Sequence, residues 1–384
     1  MKTARDLRAK APRPDAGVDP GRPLLVVIAA LCVVGLVMVL SASSVDALRT
    51  YGSSWYFFVR QAIYVGLGGV ALWLTARVDY HVWRKFAAPA VAVVLFLMAC
   101  VLVPGLGQTA YGARRWLGVG PLQFQPSELA KLALILFSAD ILARHPPQRE
   151  GPAPLYVIGG VTLVALMLVM GEPDMGTGMI ILGTVLAVLI LGGIPLKPLL
   201  AGLGGIGVVG TFVAVFEPYR RERLLSFADP FKSASGSGYQ QVQALVGLGS
   251  GGVRGVGLGA SKSKWGFLPN AHTDFIFAII GEELGLFGSI GVVALFVALA
   301  VFGIRAAVRA PDAFGALVAG GITAWLVGQA ALNMAAVVGV LPVTGVPLPF
   351  VSLGGTSTIF GMAAAGILVN VARQRRPASA KPSR

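Results

Sequence analysis

The sequence predicts an all-α polytopic membrane protein with about ten transmembrane helices. Three observations carry this expectation. Of the 384 residues, 55% are hydrophobic and only 12% are charged, whereas a soluble domain is about a quarter charged. Apolar runs of about 20 residues, enough to cross a ~30 Å hydrocarbon core as helix, recur along the whole length. Those runs lack the period-two alternation that a membrane β-barrel requires.

Taken in order, the expected crossings are 23–44, 55–75, 84–103, 126–143, 153–171, 175–193, 198–216, 286–308, 313–340 and 349–371. The first has too long an apolar core for a cleavable signal peptide, and nothing like A-x-A follows it. Lys and Arg set the orientation. Lys2, Arg5, Arg8, Lys10, Arg13 and Arg22 precede the first helix, while Arg77, Arg84, Lys85, Arg144, Arg149, Lys197, Arg305 and Arg309 fall in alternate loops. Both termini are therefore expected in the cytoplasm. Residues 1–22 and 373–384, rich in Pro, Ala, Lys and Arg, are expected to be disordered tails flanking one membrane domain, 23–372.

Several functional classes fall away at this point. Cys32 and Cys100 lie inside expected spans and suit small buried hydrophobes, while His81, His145 and His272 show no ligand spacing. No metal site of protein ligands and no organic cofactor is expected. The +14 net charge suits topology and contact with anionic membrane lipids. Nucleic acid is not an expected partner, because the basic residues are spread over loops without an aromatic-studded patch.

Two outer loops stand out. The first, 104–125, carries Arg114 and Arg115. The second, 217–273, is much longer than helix connections usually are and holds Arg220, Arg221, Arg223, Lys262 and Lys264. "YQQVQALVGLG" can make a short helix there. "GLGSGG" and "GVGLGA" suit packed or flexible glycine turns, since no strand precedes them as a dinucleotide fingerprint needs. From Asp274 to Arg305 is about 31 residues, roughly 46 Å of straight helix and too long for one untilted span. A break near Gly285 or Gly288 is expected, with 274–284 a half-helix lining a cavity.

Charges in the apolar runs carry the candidate chemistry. Glu128 and Lys131 in "QPSELAKLALILF" share a helix face, so they either bridge each other or lie beside a substrate path. Glu172 and Asp174 in "GEPDMGTG" cap a tight turn or line a site. Glu282 and Glu283 suit structural partners for buried cations. Asp274 sits where water access is cheap, so burial cost alone does not assign it. "LPVTGVPLPFVSLGGTST" (341–358) has the Pro and Gly punctuation of a broken segment beside a binding site.

"FQPSELAKL", "EPDMGTG", "NAHTDFIFAIIGEELGLFG" and "LPVTGVPLPFVSLGGTST", in this order, resemble the SEDS proteins (shape, elongation, division, sporulation: FtsW, RodA, SpoVE) over about 23–371. "YRRERLLSFADPF" and "IIGEELG" look more like the FtsW branch than RodA. The resemblance implies a peptidoglycan glycosyltransferase that polymerises lipid II on the outer face of the bacterial cytoplasmic membrane, at the division septum. It carries catalysis onto Asp274, and substrate contact onto Glu128 and Lys131 and onto Ser352, Gly354 and Gly355; Arg115 and His272 join the candidate substrate-binding set. It implies a class B penicillin-binding protein transpeptidase and other division proteins as partners, and admits a divalent cation, Mg or Mn. Two positions depart from the family pattern. Leu353 stands where Tyr is common, and Asn270 where Glu is common, so no acid at 270 can be the base.

The residues fit this chemistry by themselves. A sugar hydroxyl must attack an anomeric carbon while a lipid pyrophosphate leaves. A carboxylate such as Asp274 can take the hydroxyl proton, and cations can stabilise the departing charge. The rivals are a lipid II flippase using the Glu128–Lys131 pair as its switch, a RodA-like elongation polymerase, and a non-catalytic division scaffold.

Overall fold

The computed structural model describes residues 19–110, 113–119, 122–147, 151–202 and 238–374, with positions 204, 227, 231, 232 and 236. The outer parts of both tails, Arg149, Arg220, Arg221, Arg223 and most of the expected crossing 198–216 lie outside the described residues. So does much of the first half of the 217–273 loop.

The elements follow the apolar runs. They are α1 (Arg22–Tyr51), α2 (Tyr56–Arg77), α3 (Tyr80–Leu102), α4 (Pro126–Arg144), α5 (Ala153–Gly171), α6 (Met175–Leu191), α7 (Tyr239–Gly251), α8 (Ile276–Val308), α9 (Ala313–Val337) and α10 (Thr356–Arg373). Seven of them (α1, α2, α3, α5, α8, α9 and α10) are long and apolar enough to cross a membrane. Helix α4 carries Glu128, Lys131, Asp140 and Arg144, and α6 has 17 residues. Backbone at 196–202 is helical and opens the seventh expected crossing. The short helix expected at "YQQVQALVGLG" is α7.

Local chemistry sets the ends. Helix α1 stops at Gly52, whose left-handed φ of 72° lets its amide bond Leu48 O, the glycine-terminated helix end. Helices α3, α6 and α9 start on Asp79, Asp174 and Asp312, each accepting a backbone N–H two or three residues on. Pro126 takes the first turn of α4, where its missing N–H has no cost.

Two boundaries differ from expectation. Residues 108–124, expected as loop, form a three-stranded antiparallel meander, β1 (Gln108–Ala110), β2 (Ala113–Val119) and β3 (Leu122–Phe124). Strands of three to seven residues are too short to impress an alternation on the sequence. The last helix begins at Thr356 rather than 349, because Pro347, Pro349 and two glycines keep the preceding chain out of helix.

The expected break in α8 falls at Gly285, with φ 67° and ψ −160°, a conformation open essentially to glycine alone. Its neighbours make glycine doubly necessary, since a Cβ there would collide with the backbone of 253–255. The Gly-rich turn of 251–257 is thus packed directly on the break, with the Val256 and Gly257 amides donating to Glu282 O and Glu283 O.

Helices α4 and α9 form the centre. Both Glu128 and Lys131 are buried there, as are Gln329 and Asn333 of α9. The outer helices are exposed along single faces: Val59, Ile63, Leu67 and Val70 on α2 lie at helical spacing and stay uncovered. Such a face suits lipid. The described ends meet on one side, where Arg373 pairs with Asp19 at 3.0 Å. The connections at 103–125, 172–174, 252–275 and 338–355 lie at the opposite, distal side.

Candidate active site

All four motif-bearing segments meet on the distal face. Asp274 closes the turn that leads into α8, one residue before the Phe275 N-cap. Asn270 opens that turn with φ 58°, a left-handed conformation that Asn tolerates better than most residues. Its carbonyl accepts from the amides of Thr273 and Phe275. A glutamate at 270 would meet that backbone less readily.

Three contacts sew this turn onto the 342–355 segment. The Ser352 hydroxyl donates to Thr273 O at 2.6 Å and accepts from Leu348 N at 2.9 Å. Leu353 N donates to His272 O at 3.0 Å. Asn333 Nδ2, reaching from α9, donates to Asp274 O at 2.8 Å and to Val346 O at 2.7 Å. Gly345 sits beside the carboxylate, since a Cβ there would lie 3.7 Å from Asp274 Oδ2. Ser352 is thereby placed at the site as a brace on the turn. Gly355, at φ 53°, starts α10 beside the Tyr64 ring, and Gly354 packs on Thr358.

The 172–174 turn is joined to the same layer. Gly176 abuts Thr344 and Val346 so closely that no side chain fits. Arg115, on β2, donates from Nε to Glu172 O at 3.2 Å and lies 3.6 Å from Asp174 Oδ2. Gln125 Nε2 donates to Asp174 Oδ2 at 3.0 Å, and its amide reaches Thr356 Oγ1. Arg115 thus clamps a turn. Glu172 is fully buried, and neither carboxylate oxygen has a hydrogen-bond partner among the described residues. Burial chiefly, with the Asp174 charge adding and Arg115 opposing, pushes its pKa up to about 8, so it is largely protonated at neutral pH.

Glu128 and Lys131 do bridge each other, at 2.7 Å, 3% and 1% exposed. Lys131 Nζ also donates to Gln329 Oε1 at 3.0 Å and lies 5.1 Å from the Trp325 ring centre. Gln329 in turn donates to Pro347 O at 2.9 Å. The pair therefore props the 342–355 segment from below.

Other candidates are tied elsewhere. His272 packs against Phe57, with ring centroids 4.6 Å apart and the planes tilted by 30°, and burial lowers its pKa. Its ring lines a cavity of about 300 Å³ with Asp46, Arg49 and Lys264, against the ends of α1 and α2. Glu283 accepts from Ser41 at 2.7 Å and faces Lys264 at 3.4 Å, the buried-cation pairing expected of it. Glu282 differs. Its carboxylate takes the Ser261 hydroxyl at 2.6 Å and the Lys262 amide at 2.8 Å, because the 261–263 turn presents N–H groups where a cation was expected. Lys264, buried and bound to Glu283, has its charge engaged and does not stand ready for a pyrophosphate. Lys262 is exposed.

No group of three or more His, Cys, Asp or Glu side chains able to hold a metal occurs among the described residues. Asp274 offers a single carboxylate, the kind of ligand that Mg takes together with substrate phosphates rather than in a protein cage. Gln329 and Asn333 are residues the sequence reading missed. Their signal was a pair of amides in the apolar run "AWLVGQAALNMAAVVG", costly in a membrane unless hydrogen-bonded.

Residues 22–377 match the family model FtsW/RodA/SpoVE, described as "Cell cycle protein". The chain is 39% identical over 363 residues to "Stage V sporulation protein E" of Bacillus subtilis, covering 93% of this chain and 98% of that protein. It is also 39% identical over 380 residues to a "Probable peptidoglycan glycosyltransferase FtsW" of Mycobacterium tuberculosis, covering 96% and 72%. Among solved structures, it superimposes with a TM-score of 0.76 and 31% identity on a chain described under "Structural coordination of polymerization and crosslinking by a peptidoglycan synthase complex", covering 92% and 97%. The rod shape determining protein RodA of Thermus thermophilus gives 0.68 and 29%, covering 92% and 97%.

Proposed function

The chain belongs to the FtsW/RodA/SpoVE family of cell cycle proteins, and from that premise we propose that it is a peptidoglycan glycosyltransferase polymerising lipid II, with Asp274 as general base. The observation that carries this reading is the bracing of the Asp274 turn by the 342–355 segment and α9, with the 126–131 and 172–176 segments packed behind residues 344–347. Hydrogen bonds from Ser352, Leu353 and Asn333 fix the carbonyls of residues 272, 273 and 274. Such bracing holds a carboxylate where a sugar hydroxyl can deliver its proton. It is more than a half-buried aspartate at a loop end needs.

The step itself is simple to state. The hydroxyl of one sugar attacks the anomeric carbon of another, Asp274 accepts the hydroxyl proton, and the lipid pyrophosphate leaves with the bonding pair. Asp274 lies at the end of its helix, so a headgroup can reach it while lipid tails stay in the bilayer. In this reading both termini are cytoplasmic, the distal face is extracytoplasmic, and the protein works at the division septum. The solved chain of the peptidoglycan synthase complex supports a crosslinking partner, here a class B penicillin-binding protein. The chain's own Ser261 and Lys264, in Ser-x-x-Lys spacing, are tied to Glu282 and Glu283, which leaves them unsuited to acyl transfer.

A flippase reading is favoured by the buried Glu128–Lys131 pair alone, and that pair has a structural use in propping residue 347. Purified protein incubated with lipid II tests the proposal. The wild type is expected to form glycan chains, and Asp274→Asn to lose on the order of 10²-fold or more with lipid II binding retained. Polymerisation near the wild-type rate by Asp274→Asn would sink the general-base assignment. Lipid II transport without polymerisation by the wild type would favour the flippase.

A further inference from the structure

We infer that Asn333 is a positioning residue for the reaction, a two-donor staple that fixes the Asp274 backbone; the inference rests on the reading of Asp274 as the base. Asn333 lies on α9, 59 residues from Asp274 in sequence, and is 2% exposed. Its single amide group sends one hydrogen to Asp274 O and the other to Val346 O, at 2.8 and 2.7 Å. Two carbonyl oxygens at hydrogen-bond distance leave no ambiguity about which terminal atom is nitrogen, because an oxygen there would face two acceptors.

This arrangement is specific to an amide. A carboxylate at 333 would repel both carbonyls, and an apolar side chain would strand them away from water. Both bonds converge on chain segments with no regular structure of their own, the 270–275 turn and the 342–355 segment. A second side-chain tie is Ser352, which reaches Thr273 O at 2.6 Å. Helix α9 is one of the most buried in the bundle, so Asn333 transmits the position of a rigid element to the turn. Displacing a reacting carboxylate by about 1 Å can cost on the order of 10²-fold in rate without loss of binding.

The test uses purified full-length wild type, Asn333→Ala, Ser352→Ala, the double variant and Asp274→Asn. Each is assayed for kcat and KM in lipid II polymerisation, for lipid II binding and for thermal unfolding in detergent. Asn333→Ala is expected to lower kcat by about 10-fold or more, with KM and lipid II binding within about 3-fold of wild type. Ser352→Ala should act the same way. Because both ties hold one turn, the double variant should lose less than the product of the two single losses.

Wild-type kcat in Asn333→Ala, a rise in KM alone, or fully multiplicative losses would each overturn the inference. Failure of both single variants to accumulate would assign the two side chains to folding and overturn it as well. An active Asp274→Asn defeats the underlying reading of the base. A dead Asp274→Asn beside a wild-type-like Asn333→Ala defeats the staple alone.

Discussion

Replacing Glu128 by Gln should destabilise the bundle because it strands a buried ammonium. At 2.7 Å and an effective dielectric of about 20, the Glu128–Lys131 attraction is ~6 kcal/mol. Removing two ions from water costs several kcal/mol each, so the intact pair is near break-even against an apolar pair. The single substitution is different. It keeps the desolvation cost of Lys131 and loses the counter-charge, a loss of about 3–5 kcal/mol. Gln329 Oε1 at 3.0 Å and the Trp325 face at 5.1 Å soften this, which places the expected loss near the low end, about 3 kcal/mol. Thermal unfolding and folded yield in detergent measure it. Glu128→Gln with Lys131→Met should recover most of the stability, because no charge is then left unpaired. If Glu128→Gln alone unfolds at the wild-type temperature, the electrostatic reasoning is wrong. Full stability with lost polymerisation would move Glu128 from support to direct substrate contact.

Two further outcomes follow from the distal face. Gly285→Ala forces a side chain into φ 67°, ψ −160° and against the 253–255 backbone; the backbone term alone is on the order of 1–3 kcal/mol, and thermal unfolding should fall accordingly, with an unchanged midpoint counting against a glycine-dependent break. Glu172, whose folded pKa of about 8 lies above its ordinary value of 4.5, binds its proton more tightly folded than unfolded, so its stabilising effect is complete below about pH 4.5 and is lost as pH rises through 8, by up to about 1.4 kcal/mol per unit. Glu172→Gln should remove that slope, so its melting temperature relative to wild type should rise between pH 5 and 8; parallel profiles would refute a protonated Glu172.

The crossings that fall on described helices were legible because lipid imposes a length and a composition on them, and both survive in a linear sequence. The break at Gly285 was legible by arithmetic, since the span from Asp274 to Arg305 exceeded one bilayer. The partner of Glu283 could be anticipated because a buried charge requires an opposite one. The partner of Glu282 could not, since backbone N–H groups leave no residue-specific trace. The β meander at 108–124 was hidden for a similar reason, its longest strand having seven residues.

The site was legible in its identities and hidden in its mechanics. Glu128 and Lys131 could be picked out as charges in an apolar run, and Asp274 and Ser352 through the family resemblance, but their spacing says nothing of what each one touches. The structure assigns three of them to support. Lys131 and Glu128 act on Pro347 through Gln329, and Ser352 acts on Thr273. Arg115, chosen as a cation for the substrate, holds the 172–174 turn. A membrane interior favours this division of labour. Each polar side chain that enters it needs a partner, and the carbonyls of an irregular segment such as 342–355 need donors. Pairing the two requirements satisfies both and fixes the segment that flanks Asp274. Ser352 and Asn333 are therefore arranged around the turn that carries one half-buried carboxylate, and with Asp274 as the proposed base, rate loss without binding loss is the signature expected when either of these two braces is removed.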